Sequence, residues 1–234
     1  MKSNKASTLI EVMIYSMLLL SVLALAYLFY KLGNQYLKKT RTQVEMQQAA
    51  SLSGSALVKD LCEAYGTGIA SFPSPAGPGA LPGVVMLSAR DDQGTFRYEE
   101  GSGNPIWQRY VGYYLDTDPE MPADASVKAL FRAEITNLGG LPSSQPPGPV
   151  AAGVTTTLMR TSGLRRKLVA HGLRAPSNAL PHGGLDVYCL NTTNAKVYPT
   201  VLTNPVWIDL ELLNTSTGSM QSSMRTRLSV MARN

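Results

Sequence analysis

Apolar residues dominate positions 9–30 of the chain, and the only charge among them is Glu11. About 20 apolar residues suffice for a helix to cross a bilayer, so this run predicts a transmembrane helix. A short basic stretch without an acid, residues 1–6, precedes it, and an aromatic and cationic stretch suited to a membrane interface, residues 27–31, ends it. A carboxylate at the centre of such a helix costs about 2.5–3.5 kcal/mol, so we expect Glu11 to have a partner.

The hydrophobic pattern becomes amphipathic after this run. Apolar residues fall on one helical face: Met46, Ala49, Ala50, Leu57, Leu61 and Ala64. No proline occurs before Pro73, and Gly66 supplies a stop signal. The pattern predicts one nearly continuous helix from about Thr8 to Tyr65, apolar all round in its first half and packed on a sheet in its second half. Gly33 and Gly54 are candidate bends.

Beyond the helix the chain is rich in turns and short β-like runs. Strands are predicted at residues 84–90, 95–99, 106–115, 129–135, 154–160, 166–173, 185–190, 206–213 and 223–231, and loops at residues 71–82 and 141–153. In the run 206–213, Ile208 and Leu210 alternate with Trp207 and Asp209, a period of two with one apolar face. The order of elements predicts an α+β protein whose sheet is an antiparallel meander.

Composition and motifs argue against several classes of function. The net charge of +5 is too small to indicate nucleic-acid binding by itself. His171 and His182, the only histidines, lie apart without a set of cysteine or carboxylate partners, so we predict surface or loop histidines and no metal site. The chain has no nucleophile-elbow signature and no lysine-bearing phosphate loop. We therefore expect no enzymatic activity and no cofactor.

Two features leave alternatives open. Cys62 and Cys189, the only cysteines, form a candidate disulfide if the domain is exported, and are otherwise two separate buried thiols. A basic segment comprises Arg160, Arg165, Arg166, Lys167 and Arg174. It is either a DNA contact or the solvated face of a hairpin, and the hairpin is favoured because no aromatic residues interleave the cations.

The start of the chain resembles a known export signal. A basic leader and small residues precede Thr8-Leu9-Ile10-Glu11-Val12-Met13 and a long apolar helix, which is similar to the class III signal of type IV prepilins and type II secretion pseudopilins. In that family the leader is removed, and the glutamate is the fifth residue of the mature chain. The resemblance implies cleavage between Ala6 and Ser7, where the family usually has Gly and often Phe, N-methylation of the new terminus, and a role for Glu11 in assembly.

The rest of the chain extends the resemblance. Residues 107–116 (WQRYVGYYLD) with 129–132 (ALFR), residues 167–173 (KLVAHGL), and residues 224–234 (MRTRLSVMARN) look like segments of J-type pseudopilins and PilW-like minor pilins. The resemblance implies a type IV pilin-like fold with four parts. These are a leader (1–6), the transmembrane half of the helix (7–30), its amphipathic half (31–66) and a globular antiparallel β domain (67–234).

The resemblance also implies a function. It predicts a minor pilin or pseudopilin that helps to initiate or cap a type IV pilus or a type II secretion pseudopilus. Its partners would be other pilins or pseudopilins, the prepilin peptidase, the inner-membrane assembly platform and, before assembly, membrane lipid. The protein would cross the inner membrane once, with its C-terminal domain in the periplasm, and then enter a filament at or near the tip. The alternatives are a single-pass membrane protein with a periplasmic binding domain and a DNA-binding, competence-type pilin.

Overall fold

The computed structural model describes residues 4–64, 68–72, 82–136, 141–144, 165–177, 182–198, 202, 205–213 and 223–232. One helix, α1, spans Asn4–Glu63 and is followed by strands. In chain order they are β1 (Ile69–Phe72), β2 (Gly83–Ser88), β3 (Arg109–Thr117), β4 (Val127–Thr136), β5 (Arg165–Arg174), β6 (Leu185–Leu190), β7 (Lys196–Val197), β8 (Val206–Leu213) and β9 (Ser223–Val230). The predicted α+β class is confirmed.

The chain divides into two compact units, Met1–Glu45 and Met46–Asn234. The last part of α1 therefore belongs to the same unit as the sheet. The reason is the amphipathic pattern of this part, because Met46, Ala50, Leu57 and Leu61 are buried in the core of the second unit.

All strand pairs of the sheet are antiparallel. Strands β1 to β5 follow one another as a meander, and the order then continues β8-β6-β7. One edge of β8 pairs with β6 and, through the pair Leu212 and Leu173, with β5. Strand β9 pairs with β8 along the whole length of β8. The predicted antiparallel sheet is confirmed, but its last four strands are not in chain order.

The larger core lies between α1 and one face of the sheet. Leu57 and Leu61 of the helix pack there with residues from each of the longer strands, including Tyr113, Leu130 and Ile208. Gly54 gives the helix a close approach to β9, since a Cβ at this position would lie 2.9 Å from Cδ1 of Leu228. Gly54 thus has a packing role at the helix–sheet contact.

A second core covers the opposite face of β2, β3 and β4. Tyr110, Tyr114 and Phe131 lie there with Trp107 and Leu141. Strand β3 is consequently buried on both faces, from Arg109 to Asp116. Its continuous apolar and aromatic composition, rather than a strict alternation, reflects this burial.

Several sequence predictions need correction. Residues 95–99 form no regular strand and make only isolated bridges, Arg90 to Phe96 and Tyr98 to Pro105. Strands β1 and β7 were not expected, and β1 occupies the start of the predicted loop at 71–82; each is short and is held by pairing with a longer neighbour. The predicted strand at 154–160 lies outside the described residues.

Candidate functional sites

The first part of α1 exposes an apolar surface on every side. Its exposed large side chains run from Leu9 to Leu37 and include Leu18, Leu23 and Phe29. By length and composition this helix could span a membrane, and its most apolar window has no buried residue. A soluble unit rarely exposes so large an apolar surface without a partner or a membrane to cover it.

Glu11 is the one acidic residue in this surface. Ser16 donates its hydroxyl to the carbonyl of Met13 at 2.9 Å, and Ser21 donates to Met17 at 2.8 Å, so both hydroxyls find acceptors within the helix. Glu11 is exposed, and it forms no ion pair with any side chain that the structure describes. Ala6 and Ser7 lie in the first turns of α1, and their side chains are outside the described set.

An aromatic and basic face lies in the C-terminal part of this apolar surface. A shallow cavity of about 220 Å³ is lined by residues that recur at helical spacing: Tyr27, Tyr30, Lys31, Asn34 and Lys38. Tyrosine and lysine side chains are typical of the boundary between lipid and water, because each has an apolar body and a polar tip. This face agrees with the membrane interface that the sequence predicts near Tyr30.

The candidate disulfide is not formed. Cys62 lies exposed on α1, whereas Cys189 is buried in β6. Leu61 turns into the core on one side of the helix, and its neighbour Cys62 therefore points away from it. The alternative of two buried thiols is also wrong, because only Cys189 is buried.

A charged network joins α1 to the sheet within the second unit. The carboxylate of Asp60 accepts hydrogen bonds from Tyr113 Oη and Arg132 Nε, each at 2.7 Å. Arg132 also pairs with Glu134, which pairs in turn with Arg109. Burial raises the pKa of Tyr113, and the neighbouring carboxylate of Asp60 raises it further. This phenol therefore stays neutral and acts as a donor that fixes the helix on the sheet.

A second charged network surrounds Asp209 on β8. Its side chain is 3% exposed and accepts from Arg227 Nε at 2.8 Å, from Lys196 Nζ at 3.0 Å and from Arg225. Burial by itself would raise the pKa of Asp209, but the hydrogen bonds from Arg227, Lys196 and Arg225 outweigh it and hold the pKa well below its usual range. The charged Asp209 carboxylate therefore links β7, β8 and β9, which is a structural role.

His171 is more than a surface histidine. Its Nδ1 lies 2.8 Å from Oδ1 of the fully buried Asp118, which also accepts the amide N–H groups of Glu120 and Gly172. Gly172 has φ +74 beside the register shift between β4 and β5. Asp118 therefore stabilises this bulge, and no local sequence motif predicts that role.

His182 also has an ordered environment. Its ring stacks on Tyr198, with centroids 4.2 Å apart. Burial lowers the pKa of His182, and Asp186 opposes that effect. Among the residues that the structure describes, no group of three or more histidine, cysteine or carboxylate side chains is arranged to hold a metal ion.

The described residues of the basic segment divide between two places, because Arg165, Arg166 and Lys167 line one cavity and Arg174 pairs elsewhere. Arg166 pairs with Asp116 at 2.9 Å and lies 3.7 Å from the ring centroid of Phe131, while Arg174 pairs with Glu211 at 2.6 Å. Arg165 and Lys167 line a cavity beside β4. Arg160 lies outside the described residues.

Comparisons with protein-family models, with curated proteins and with solved structures found no match to this chain. The fold and the exposed helix define the class at a coarse level. The chain is an α+β protein with an antiparallel sheet and one N-terminal helix that could cross a membrane.

Proposed function

We propose that the protein is a minor pilin or pseudopilin, a structural subunit that helps to initiate or cap a type IV pilus or a type II secretion pseudopilus. One observation carries the proposal. Glu11 is the sole charge in the apolar part of α1, and it follows Ala6-Ser7-Thr8-Leu9-Ile10 in the order typical of a prepilin signal. An ordinary membrane anchor has no need of this carboxylate.

The mechanism follows from the cost of burying that charge. After removal of residues 1–6, the new amine of Ser7 in a neighbouring subunit is the cation that pairs with Glu11 when apolar helices bundle in the filament. A subunit docked in another register would leave a buried carboxylate unpaired, which costs about 3–5 kcal/mol when one partner of a buried pair is missing. The pairing therefore favours one register and draws the helix from lipid into the filament.

The second unit supplies the surface for partners under this proposal. Its helix and antiparallel sheet suit a type IV pilin-like fold. The protein sits in the inner membrane with one span and a periplasmic C-terminal domain before it joins other pilins or pseudopilins through the assembly platform. DNA binding gains no support, because acids already hold Arg166 and Arg174.

Processing of the N-terminus tests the proposal. The full chain is expressed with an active prepilin peptidase, and the intact mass of the membrane-extracted protein is measured. We expect a chain that begins at Ser7 and carries a methyl group. Expression without the peptidase is the control and should leave Met1 in place. An uncut chain in the presence of active peptidase would contradict the proposal and favour a simple anchored protein.

A further inference from the structure

A cavity of about 360 Å³ lies in the second unit, where the antiparallel order brings together the end of β2, the start of β3, the end of β4 and the start of β5. The turn at residues 91–94 closes one side. Its lining is unusually rich in charge, with the cations Arg90, Arg109, Arg132, Arg165, Arg166 and Lys167 and the acids Asp91, Asp92 and Glu134. The volume falls in the range of small-molecule sites, about 300–1,000 Å³.

Four of the cations are already engaged by close carboxylates, and one of them is Arg109, which pairs with Glu134. Arg90 makes two hydrogen bonds to Glu63, at 2.5 and 2.6 Å. Arg132 pairs with Asp60 at 2.7 Å and also with Glu134, and Arg166 pairs with Asp116 at 2.9 Å. These pairs join strands and helix to one another, so we assign them to the framework of the cavity.

Arg109 and the exposed Arg165 also share one loosely held acid, Asp92. Oδ1 of Asp92 lies 3.6 Å from Nη1 of Arg109 and 3.6 Å from Nη1 of Arg165, beyond the length of a charge-assisted hydrogen bond. The Asp92 side chain is 67% exposed. Within the described part of the chain, Lys167 takes part in no ion pair. Among the described residues, the site thus has one cation without an ion pair, Lys167, and one exposed carboxylate, Asp92, that makes only long contacts with its cations.

Asp91 and Glu134, the other acids of the lining, are each held by close partners. Asp91 is held by Arg97 at 2.7 Å and by the amide N–H groups of Gln93 and Thr95. Glu134 accepts from both Arg109 and Arg132. Burial opposes ionisation of Glu134, but these two guanidinium groups lower its pKa, so it stays ionised and bound.

We propose that this cavity binds a small dicarboxylate, with one carboxylate replacing Asp92 between Arg109 and Arg165 and the other pairing with Lys167. The Asp92 carboxylate already lies between Arg109 and Arg165, so a ligand carboxylate fits the same position. Guanidinium groups match carboxylates in shape and charge. The same chemistry could be presented by adjacent acidic side chains of a peptide. This site does not rest on a filament role.

Binding of succinate to the full chain in detergent micelles, measured by calorimetry, tests the proposal. Asp92→Asn removes the internal competitor, so affinity should rise by about two- to fivefold, the range that loose surface ion pairs provide. Lys167→Gln removes the excess cation and should lower affinity by about tenfold. Lys167 is exposed, so its replacement should leave the fold intact.

Lys59→Gln is the matched control, because Lys59 is an exposed lysine of the same unit that does not line the cavity. Its affinity for succinate should equal that of the wild type. A peptide with adjacent aspartates that binds while succinate does not, and that responds to Lys167→Gln, would support the site and identify a protein source. Inorganic phosphate binding as tightly as succinate, or indifference of binding to Asp92→Asn and Lys167→Gln, would overturn the proposal.

Discussion

Replacement of Leu57 by alanine should strongly destabilise the second unit. Leu57 lies on α1, is fully buried and packs in the core between helix and sheet. Truncation of a buried leucine removes transfer free energy and leaves a cavity, at a cost of about 2.7–5 kcal/mol. Leu52, on the same part of the helix, is 66% exposed, and Leu52→Ala should cost no more than about 0.5 kcal/mol.

The two tryptophans provide the signal for this measurement. Trp107 and Trp207 both belong to the second unit, so their fluorescence during urea unfolding in detergent reports that unit. For a unit of this size, a loss of about 3 kcal/mol corresponds to a fall in melting temperature of about 6–12 °C. The urea midpoint should fall while the slope of the transition stays unchanged.

The comparison of the two leucines carries the test. If Leu52→Ala and Leu57→Ala lower the midpoint equally, or if neither does, the helix does not form a wall of the core. The assignment of α1 from Met46 onward to the second unit would then be wrong.

Three further outcomes are expected. Asp209→Asn should lower the free energy of unfolding by about 1.5–3 kcal/mol, since it weakens hydrogen bonds from three cations. Because the folded pKa of Asp209 lies below the ordinary 3.8, the stability that its carboxylate contributes is present above about pH 4 and is lost as pH falls through the folded pKa. The urea midpoint should therefore decline below about pH 4, and it should decline less steeply in Asp209→Asn. An equal dependence of the midpoint on pH in the two proteins would contradict this. Gly184→Ala should cost about 1–3 kcal/mol or more in the same assay, because its Cβ would lie 2.5–2.6 Å from backbone atoms of β8 and β5, and a neutral effect would refute that contact. In the folded protein a maleimide should modify Cys62, with Cys189 modified only after unfolding, whereas resistance of both thiols to labelling of unfolded, unreduced protein would indicate a disulfide.

The sequence pattern predicts the helix, and strands with one covered face such as β8, because burial imposes a regular period on them. Leu57 and Leu61 repeat at helical spacing, and Ile208 and Leu210 alternate along β8, so local periodicity records which face is covered. The strands that it missed, β1 and β7, contain only a few residues. Their pairing with a longer neighbour, not their own composition, makes them strands.

The charged sites could not be predicted from local sequence. Asp60 and Arg132, or Asp118 and His171, are far apart along the chain and meet only after the sheet forms. No spacing rule relates such residues, and the bulge at Gly172 that orients His171 depends on the register between β4 and β5. Glu11 is the exception, because a single charge in an apolar run is visible without any tertiary structure.

Filament assembly by variants of Glu11 is the most direct test of the proposed function. Glu11→Gln retains shape and hydrogen bonding without the charge, and Glu11→Val removes both and eases insertion into the membrane. All variants should accumulate in the membrane with a normally folded second unit, as judged by tryptophan fluorescence, because Glu11 belongs to the other unit.

The measurement is the amount of each variant in sheared filaments, or the number of filaments initiated, in cells that express the partner pilins. The account predicts that Glu11→Gln and Glu11→Val enter or initiate filaments poorly and that Glu11→Asp lies between them and the wild type. Assembly of Glu11→Val at the wild-type level would contradict the pairing of Glu11 with a neighbouring N-terminus, and absence of the wild-type chain from the filaments would contradict the filament role proposed for this protein.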